Sequence, residues 1–346
     1  MLSKKNIPVL MLFILLFFNC DNFLNNKNEK RGPREYRWSV DTLQTGREGF
    51  QIVMEDIWGN SSKDIYVIGQ GDLDQRIYHY DGKEWKPINL GIDAFIIDSR
   101  SIFGFSSDDV YGAGAFYGDS VALITKSAMI HYDGSQWSDI DLNDGGRGLL
   151  DMWGISPDDI WAGGIEGTLF HYNGVEWTKL AMPDSLWFKK FSGFASDDVY
   201  AIAYYPNPNT FIWTYYIIHW DGKDWSVQDK FSDGMPETFG SHGLEVIDDY
   251  LYSAGDGVFR KRGDDTEWEK ILTQPAPRFY DIYGTSPDNI FVVGKAGRAY
   301  HYNGIDWYLY EEIQYPDIEY TGVWTDGKEV FIVGEDNSKS FIMHGK

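Results

Sequence analysis

Histidines are the first residues of this chain that could do chemistry, because an imidazole can bind a metal ion or transfer a proton near neutral pH. Six of the seven recur at one position of a repeated motif, which separates them widely in space, so they cannot converge on one metal ion. We predict a structural role for them, packing between repeats beside a repeated tryptophan. The six are His79, His131, His171, His219, His301 and His344, and only His242 is off the pattern.

Carboxylates offer a second kind of chemistry. Asp56, Asp151 and Asp281 occupy equivalent repeat positions and are expected to ring the mouth of a central channel. A cation site there is conceivable, although a repeated residue at a turn or strand start is the simpler account. The segment 139–150 approaches a calcium loop, but Gly145 comes one position late and position twelve is Leu150. We therefore predict no cofactor, with Ca²⁺ as the less favoured alternative.

Catalytic motifs are missing from the sequence: it has no nucleophile elbow, phosphate loop or zinc-binding helix. A glycosidase needs two carboxylates about 5–10 Å apart, and 53 acidic residues leave that activity open. A binding module is favoured over an enzyme.

The composition points to short strands and tight turns. Of 346 residues, 17% are aromatic and 37 are glycine, and 43% hydrophobic residues exclude a disordered chain. The formal net charge is −23, which would repel phosphate backbones and disfavours nucleic-acid binding.

The N-terminus has the pattern of a targeting segment. Lys4 and Lys5 precede an apolar run over 7–18, too short for a membrane span, and the only cysteine, Cys20, follows. This resembles a bacterial lipoprotein signal, in which the cysteine is lipidated; an ordinary secretory signal is the alternative. The predicted organisation is a signal peptide at 1–19, a lipidated cysteine and flexible tether at 20–34, and one folded domain at 35–346.

Two sequence blocks repeat through the folded domain. DIWGNSSKDIYVIG (56–69) recurs, for example, as DMWGISPDDIWAGG (151–164), and IYHYDGKEW (77–85) as LFHYNGVEW (169–177). Seven copies recur about every 44 residues, the length of a propeller blade. Each copy predicts four short strands, A to D, with an Asp/Asn-Gly hairpin between C and D and a tryptophan at the start of D.

The two chain ends complete one another. The last copy stops after its strand C, whereas the segment 35–43 resembles a strand D and supplies Trp38 as the missing seventh tryptophan. We predict an all-β fold, a seven-bladed β-propeller of four-stranded blades in which the N-terminal strand closes the last blade.

These repeats resemble those of bacterial β-propeller proteins of the sialidase-like (BNR/Asp-box) and photosystem II assembly-factor-like groups. The resemblance covers 35–346 and implies an envelope-associated propeller, but it specifies no activity. A Trp-Asp pair follows strand C in only one copy, Trp220-Asp221, unlike an array of WD40 repeats, and the arginine triad of sialidases has no clear counterpart.

Length variation concentrates in the B–C and D–A connections, which open on one face of the disc. Variable loops on a repetitive scaffold commonly bind ligands, and exposed aromatic side chains suit protein partners or sugars. Packing of these rings against the blades is the alternative for each. The candidate binding residues are Phe116, Tyr117, Arg147, Trp187, Tyr204, Tyr205, Trp213, His242, Arg278 and Tyr280.

Together these patterns predict a monomeric, lipid-anchored protein of the bacterial cell envelope that binds a protein partner without catalysis. The alternative is a propeller that binds or hydrolyses glycans. The membrane is contacted through the N-terminal lipid, and nucleic acid is not a partner.

Changing Cys20 to Ala should abolish metabolic labelling of the protein with a fatty-acid analogue, because the thiol is the predicted lipid attachment site. Retention of label in Cys20→Ala would contradict the predicted lipid anchor.

Overall fold

A computed structural model describes residues 34–43, 52–71, 75–90, 96–117, 125–142, 147–183, 186–263, 265–273, 278–336 and 339–346. The predicted signal peptide, Cys20 and all of the tether except Arg34 lie outside these residues. Arg34 already contacts the folded domain, since its guanidinium lies 2.6 Å from Oδ1 of Asp306. Within the described part, no helical segment has the length and apolar character of a membrane span.

The described residues form seven four-stranded antiparallel sheets, which confirms the predicted all-β propeller. The same residues include two short 3₁₀ turns, at Lys295–Gly297 and Glu311–Ile313. Blades 1 to 6 each contain four consecutive strands beginning with β2, and blade 7 contains β26, β27, β28 and β1. The strands are β1 (Trp38–Thr42), β2 (Val53–Ser61), β3 (Asp64–Gln70), β4 (Ile77–Tyr80), β5 (Trp85–Pro87), β6 (Ile96–Ser106), β7 (Asp109–Tyr117), β8 (Thr125–Tyr132), β9 (Trp137–Asp139), β10 (Leu149–Ser156), β11 (Asp159–Gly164), β12 (Leu169–Tyr172), β13 (Trp177–Lys179), β14 (Trp187–Ala195), β15 (Asp198–Pro206), β16 (Trp213–Trp220), β17 (Trp225–Ser232), β18 (Gly243–Ile247), β19 (Tyr250–Gly255), β20 (Gly257–Arg262), β21 (Glu269–Leu272), β22 (Phe279–Ser286), β23 (Asn289–Gly294), β24 (Arg298–Tyr302), β25 (Trp307–Leu309), β26 (Glu319–Thr325), β27 (Val330–Glu335) and β28 (Ser340–Gly345).

The first strand of each blade, strand A, lines the axis of the disc. Each strand A contacts strand A of the next blade, and β26 of blade 7 contacts β2 of blade 1, which closes the ring. Strand B is apolar on both faces because it is covered by both neighbouring blades, as in the buried run of β23. The core is therefore a series of apolar layers between blades, including one that joins Ile65 and Val67 of blade 1 to Phe331 of blade 7.

Ring closure by the N-terminal strand is confirmed. β1 pairs with β28 in blade 7, and Trp38 lies opposite Gly345, in the register that places Trp85 opposite Tyr80 in blade 1. Its indole packs edge-on against Tyr310, with ring centroids 5.1 Å apart. The edge that β28 would otherwise expose is thus covered by residues from the other end of the chain.

The recurrent histidines are structural, but their packing differs from the predicted one. Nε2 of His79 lies 2.6 Å from Oδ1 of Asp64, the first residue of strand B, and its ring stacks on Tyr66 at 4.4 Å. Tyr66 in turn meets Trp137 of the next blade. The strand-D tryptophan is therefore one ring removed from the histidine, because the strand-B aromatic lies between them. Five more blades repeat the pair: His131–Asp109, His171–Asp159, His219–Asp198, His301–Asn289 and His344–Glu329.

Several candidate aromatic residues lie in strands, where the sequence pattern predicts loops. β15 and β16 continue to Pro206 and Trp213, so the connection between them is only 207–212. Cross-strand pairs such as Tyr204 with Tyr215 extend the ladder of blade 4 beyond the repeat length. Blade 2 shows a similar extension, since β7 continues to Tyr117. The candidates that lie in strands are Phe116, Tyr117, Trp187, Tyr204, Tyr205, Trp213 and Tyr280.

Replacing Trp38 by Gly should lower the free energy of unfolding by about 3–5 kcal/mol, since a large aromatic side chain is removed at the ring closure. Val40→Gly is the matched control, because Val40 is 45% exposed on the same strand and should cost only about 1 kcal/mol. Urea unfolding measures both variants. Equal losses would show that Trp38 does not hold the closure.

Candidate functional site

The axial strands share a β-bulge that controls which side chains face the channel. In blade 1 the register shifts between Met54 and Asp56, so that Glu55 is an extra residue. A bulge interrupts the alternation of side chains between the two sheet faces. As a result both Glu55 and its neighbour Asp56 line the axial cavity. Equivalent shifts occur in blades 2, 3, 4, 6 and 7.

The bulge residues form an upper ring around a cavity of about 480 Å³. In blade 5 the equivalent place is taken by His242, whose N–H donates to the carbonyl of Ala254. The seven blades contribute Glu55, Arg100, Leu150, Lys189, His242, Tyr280 and Thr321, and all seven line this cavity. It lies where the strands A begin, on the face that carries the B–C and D–A connections.

The next residue of each strand A forms a lower ring, and this ring holds an ion cluster. In blade 4 the position of the repeated aspartate is occupied by Lys190. Its Nζ lies 3.5 Å from Asp151, 3.9 Å from Asp56 and 4.0 Å from Asp281, in each case from Oδ1. These carboxylates belong to blades 3, 1 and 6, so the ammonium must lie close to the axis. The expected carboxylate ring is present, with the chain's own lysine at its centre.

The other oxygen of each carboxylate ties neighbouring blades together. Oδ2 of Asp151 accepts the backbone N–H of Phe191 at 2.8 Å, and Oδ2 of Asp281 accepts that of Val323 at 2.9 Å. Oδ2 of Asp56 likewise accepts the N–H of Ile102 in blade 2. Each aspartate thus joins its own blade to the next and to the axial ammonium. Hydrogen bonds of this kind, to a buried charged group, are stronger than neutral ones.

The charges of the cluster depend on one another. Burial alone would lower the pKa of Lys190, but the carboxylates of Asp151, Asp56 and Asp281 outweigh it and hold that pKa well above its usual value. Burial raises the pKa of Asp151 to about 7 and that of Asp281 to about 6, against the opposing effect of Lys190. Glu245, also near the axis, has its pKa raised to about 8, chiefly by burial. The surroundings of Glu245 thus favour its neutral form.

Lys189 differs sharply from its neighbour. Among the described residues its amine has no hydrogen-bond or ion-pair partner, although it lines the axial cavity and an adjoining one of about 360 Å³. Burial, together with the charges of Arg278 and Lys190, lowers the pKa of Lys189 to about 7. Two consecutive lysines thus have opposite environments, one neutralised by carboxylates and one open to the cavity.

An aromatic shelf borders both cavities. The rings of Tyr204 and Trp213 stack with centroids 5.1 Å apart and planes 17° apart. Trp213 remains 39% exposed, whereas Tyr204 is buried and backed by Trp187. The adjoining cavity is also lined by Arg278, whose Nε donates to Oδ1 of Asp256. A flat, partly exposed indole beside charged groups can stack on an aromatic, proline or sugar ring.

His242 and Tyr280 form another part of the axial cavity wall. Their rings lie 5.4 Å apart, and the Tyr280 hydroxyl donates to Oε2 of Glu319 at 3.0 Å. Burial and the nearby cations Lys189 and Arg278 hold the pKa of His242 well below its usual value, so the imidazole is neutral. This wall therefore offers neutral polar groups rather than a second cation.

The structure brings together five of the ten candidate residues. Tyr204, Trp213, His242 and Tyr280 line the axial cavity, and Arg278 lines the adjoining one. Phe116, Arg147, Trp187 and Tyr205 line neither cavity. Trp187 supports Tyr204 from behind, Phe116 packs against the core between blades 1 and 2, Arg147 pairs with Glu166 at 3.2 Å, Tyr205 is half-buried, and Tyr117 has its backbone paired with Thr125.

Neither Lys189 nor Lys190 is among the candidate residues that the sequence pattern indicates. The signal for Lys190 was available, because it is the only basic residue at the aspartate position of the repeat. The signal for Lys189 was not, since only the bulge turns position 189 toward the axis.

Metal ligands are not clustered in the described part of the chain: no three His, Cys, Asp or Glu side chains there are placed to hold an ion. The less favoured calcium loop at 139–150 includes residues 143–146, which lie outside that part, and stays a prediction.

Comparison with known proteins shows similarity of fold. No protein-family model matches the chain, and no curated protein matches its sequence. Among solved structures it is similar to YCF48 bound to D1 peptide, with 15% identity over 91% of this chain and 98% of that one and a TM-score of 0.61. It is also similar to the WD40 β-propeller domain of Doa1, with 12% identity over 89% and 96% and a TM-score of 0.62. The extracellular domain of the putative one-component system BT4673 from B. thetaiotaomicron has 11% identity over 87% of this chain and 39% of that one, with a TM-score of 0.60.

The two adjacent lysines should respond oppositely to the same substitution. Lys190→Met should lower the free energy of unfolding at pH 7 by about 3–5 kcal/mol, because it leaves buried carboxylates without a counter-charge. The loss should be smaller at pH 5, where Asp151 and Asp281 can be protonated. Lys189→Met should leave stability unchanged or higher, because it removes an unpaired amine. Urea unfolding measures both variants at both pH values. Similar losses of unfolding free energy in the two variants would contradict the distinction between a paired Lys190 and an unpaired Lys189.

Proposed function

We propose that this protein is a non-enzymatic binding module, which holds an extended segment of a protein partner in the axial cavity and on the Tyr204–Trp213 shelf. The observation that carries this proposal is the partly exposed indole of Trp213, stacked on a buried tyrosine at the edge of a polar cavity. Exposed tryptophans beside buried supports are typical binding hot spots. The likeness in fold to YCF48, which was solved with a bound peptide, gives further support.

Catalysis is disfavoured by the state of the axial carboxylates. Asp56, Asp151 and Asp281 each have one oxygen on Lys190 and the other on a backbone N–H. A hydrolytic acid–base pair needs two carboxyl groups whose oxygens can reach the substrate or a water molecule. Both oxygens of each of these carboxylates are already engaged within the protein, and they join the blades instead.

We also propose a cellular location for the protein. The N-terminal pattern favours lipidation at Cys20, which would attach the propeller to a bacterial envelope membrane through the segment 20–34. In this arrangement the domain lies outside the cytoplasm and acts as a monomeric scaffold for an envelope protein.

Glycan binding is the second candidate, favoured by the same exposed indole face, because sugar rings also stack on tryptophan. The two candidates differ in what the cavity would accept. A peptide places backbone amides and varied side chains beside Tyr280 and His242, whereas a glycan presents mainly hydroxyl groups.

Changing Trp213 to Ala should weaken partner capture tenfold or more, since a hot-spot truncation costs about 2 kcal/mol or more. The full-length protein in detergent would be immobilised and incubated with envelope extract and, separately, with a glycan array. Val175→Ala is the matched control, because Val175 is 85% exposed on a C–D hairpin of the other face. Proteins that the wild type and Val175→Ala capture but Trp213→Ala does not would support the proposal. If no protein is captured and glycan binding is lost from Trp213→Ala, the second candidate is favoured. Capture unchanged by Trp213→Ala would contradict both.

A further inference from the structure

Lys189 lines both cavities, and its amine has no hydrogen-bond or ion-pair partner among the described residues. Four lysine and arginine side chains line these cavities in the described part of the chain. Three are neutralised: Arg100 by Glu55 at 3.1 Å, Arg278 by Asp256 at 3.2 Å and Lys190 by its three aspartates. Lys189 has no such contact. A partly buried amine without a partner is costly to folding, so a residue here that served only structure would be apolar.

The ring itself shows that no charge is needed at this position. The equivalent bulge residues in blades 3 and 7 are Leu150 and Thr321, which line the same cavity with an apolar and a neutral side chain. The backbone bulge is the same in all three blades. The amine of Lys189 is therefore a local departure from what the scaffold requires.

Nearby carboxylates are already committed to other groups. Glu237 accepts the hydroxyl of Ser241 at 2.8 Å and the backbone N–H of Asp256 at 2.6 Å. Asp233 accepts the backbone N–H of Trp213 at 2.9 Å. Rearranging either one to reach Lys189 would break a hydrogen bond. An anion brought by a ligand would meet the amine without that loss.

We propose that Lys189 is the receptor for an acidic side chain of the bound segment, so that an aspartate or glutamate of the partner enters the axial cavity and pairs with Nζ. This inference rests on the proposed function and specifies the chemistry of the partner. The residue flanking that acidic side chain would lie on the exposed face of Trp213, which lines the same two cavities.

A single carboxylate fits this site better than a phosphate. Phosphate sites usually gather several donors, such as arginine forks or consecutive backbone N–H groups. Here one amine is open, and the cavity wall also carries Glu55, Glu319 and Glu335. Those carboxyl groups would repel a doubly charged ligand more strongly than a singly charged one.

The test uses a displayed library of random twelve-residue peptides, selected on the purified full-length protein in detergent. Peptides recovered on the wild type should be enriched in Asp and Glu, and Lys189→Met should lose that enrichment. Lys223→Met is the charge-matched control, since Lys223 is highly exposed on a C–D hairpin of the opposite face. Lys189→Arg should retain the enrichment because it keeps the cation.

A double-mutant cycle then identifies the pair. A selected peptide and its amide counterpart (Asp to Asn or Glu to Gln) are titrated against wild type and Lys189→Met. The amide should bind the wild type about tenfold more weakly and bind Lys189→Met no differently from the acid. An equal loss with both proteins, or selected peptides without acidic enrichment, would overturn the role of Lys189 and leave the binding function standing. Failure to select any peptide that depends on Trp213 would overturn the proposed function itself, and this inference with it.

Discussion

The contact between the Lys190 ammonium and three buried carboxylates is the constraint on which the centre of this propeller depends. Each carboxylate of Asp56, Asp151 and Asp281 uses one oxygen for a backbone N–H of the next blade and the other for Lys190. Blades that are far apart in sequence are thereby connected at the axis, where only their first strands meet. Buried charges are tolerated only when paired and hydrogen-bonded, so the cluster restricts how the innermost strands can be placed. The same four side chains also line the axial cavity.

The architecture could be predicted because it depends on residue types that repeat. The Asp/Asn-Gly hairpins, the strand-D tryptophans and Trp38 at the chain start led to seven blades and to the closing strand. The axial site could not be predicted in the same way. Alternation in a regular strand sends neighbouring residues to opposite faces, but the bulge brings 189 and 190 to the same side. Long ladders in blade 4 likewise placed Tyr204 and Trp213 in strands, because cross-strand aromatic pairing extends beyond the repeat unit that the sequence displays.

We propose that structure and binding are divided between the two rings of the axis. The lower ring satisfies its charges within the protein and stabilises the closed disc. The upper ring, formed by the bulge residues, varies from blade to blade in charge and size, and it contains the one unpaired amine of the described cavity lining. A scaffold of this kind can change what it binds by substituting upper-ring residues while the lower ring keeps the blades together. In this proposal, the exposed indole of Trp213 and the amine of Lys189 are the protein groups that contact the ligand.

The most direct test of this division is a titration of the two amines by NMR of ¹⁵N-labelled lysine side chains, assigned with Lys189→Arg and Lys190→Arg. The account predicts that Lys189 titrates with a pKa of about 7. It predicts that Lys190 stays protonated beyond the usual pKa of a lysine, with its ammonium protons protected from exchange. Two amines that titrate together near the ordinary value of about 10.4 would contradict the separation of a structural and a binding ring.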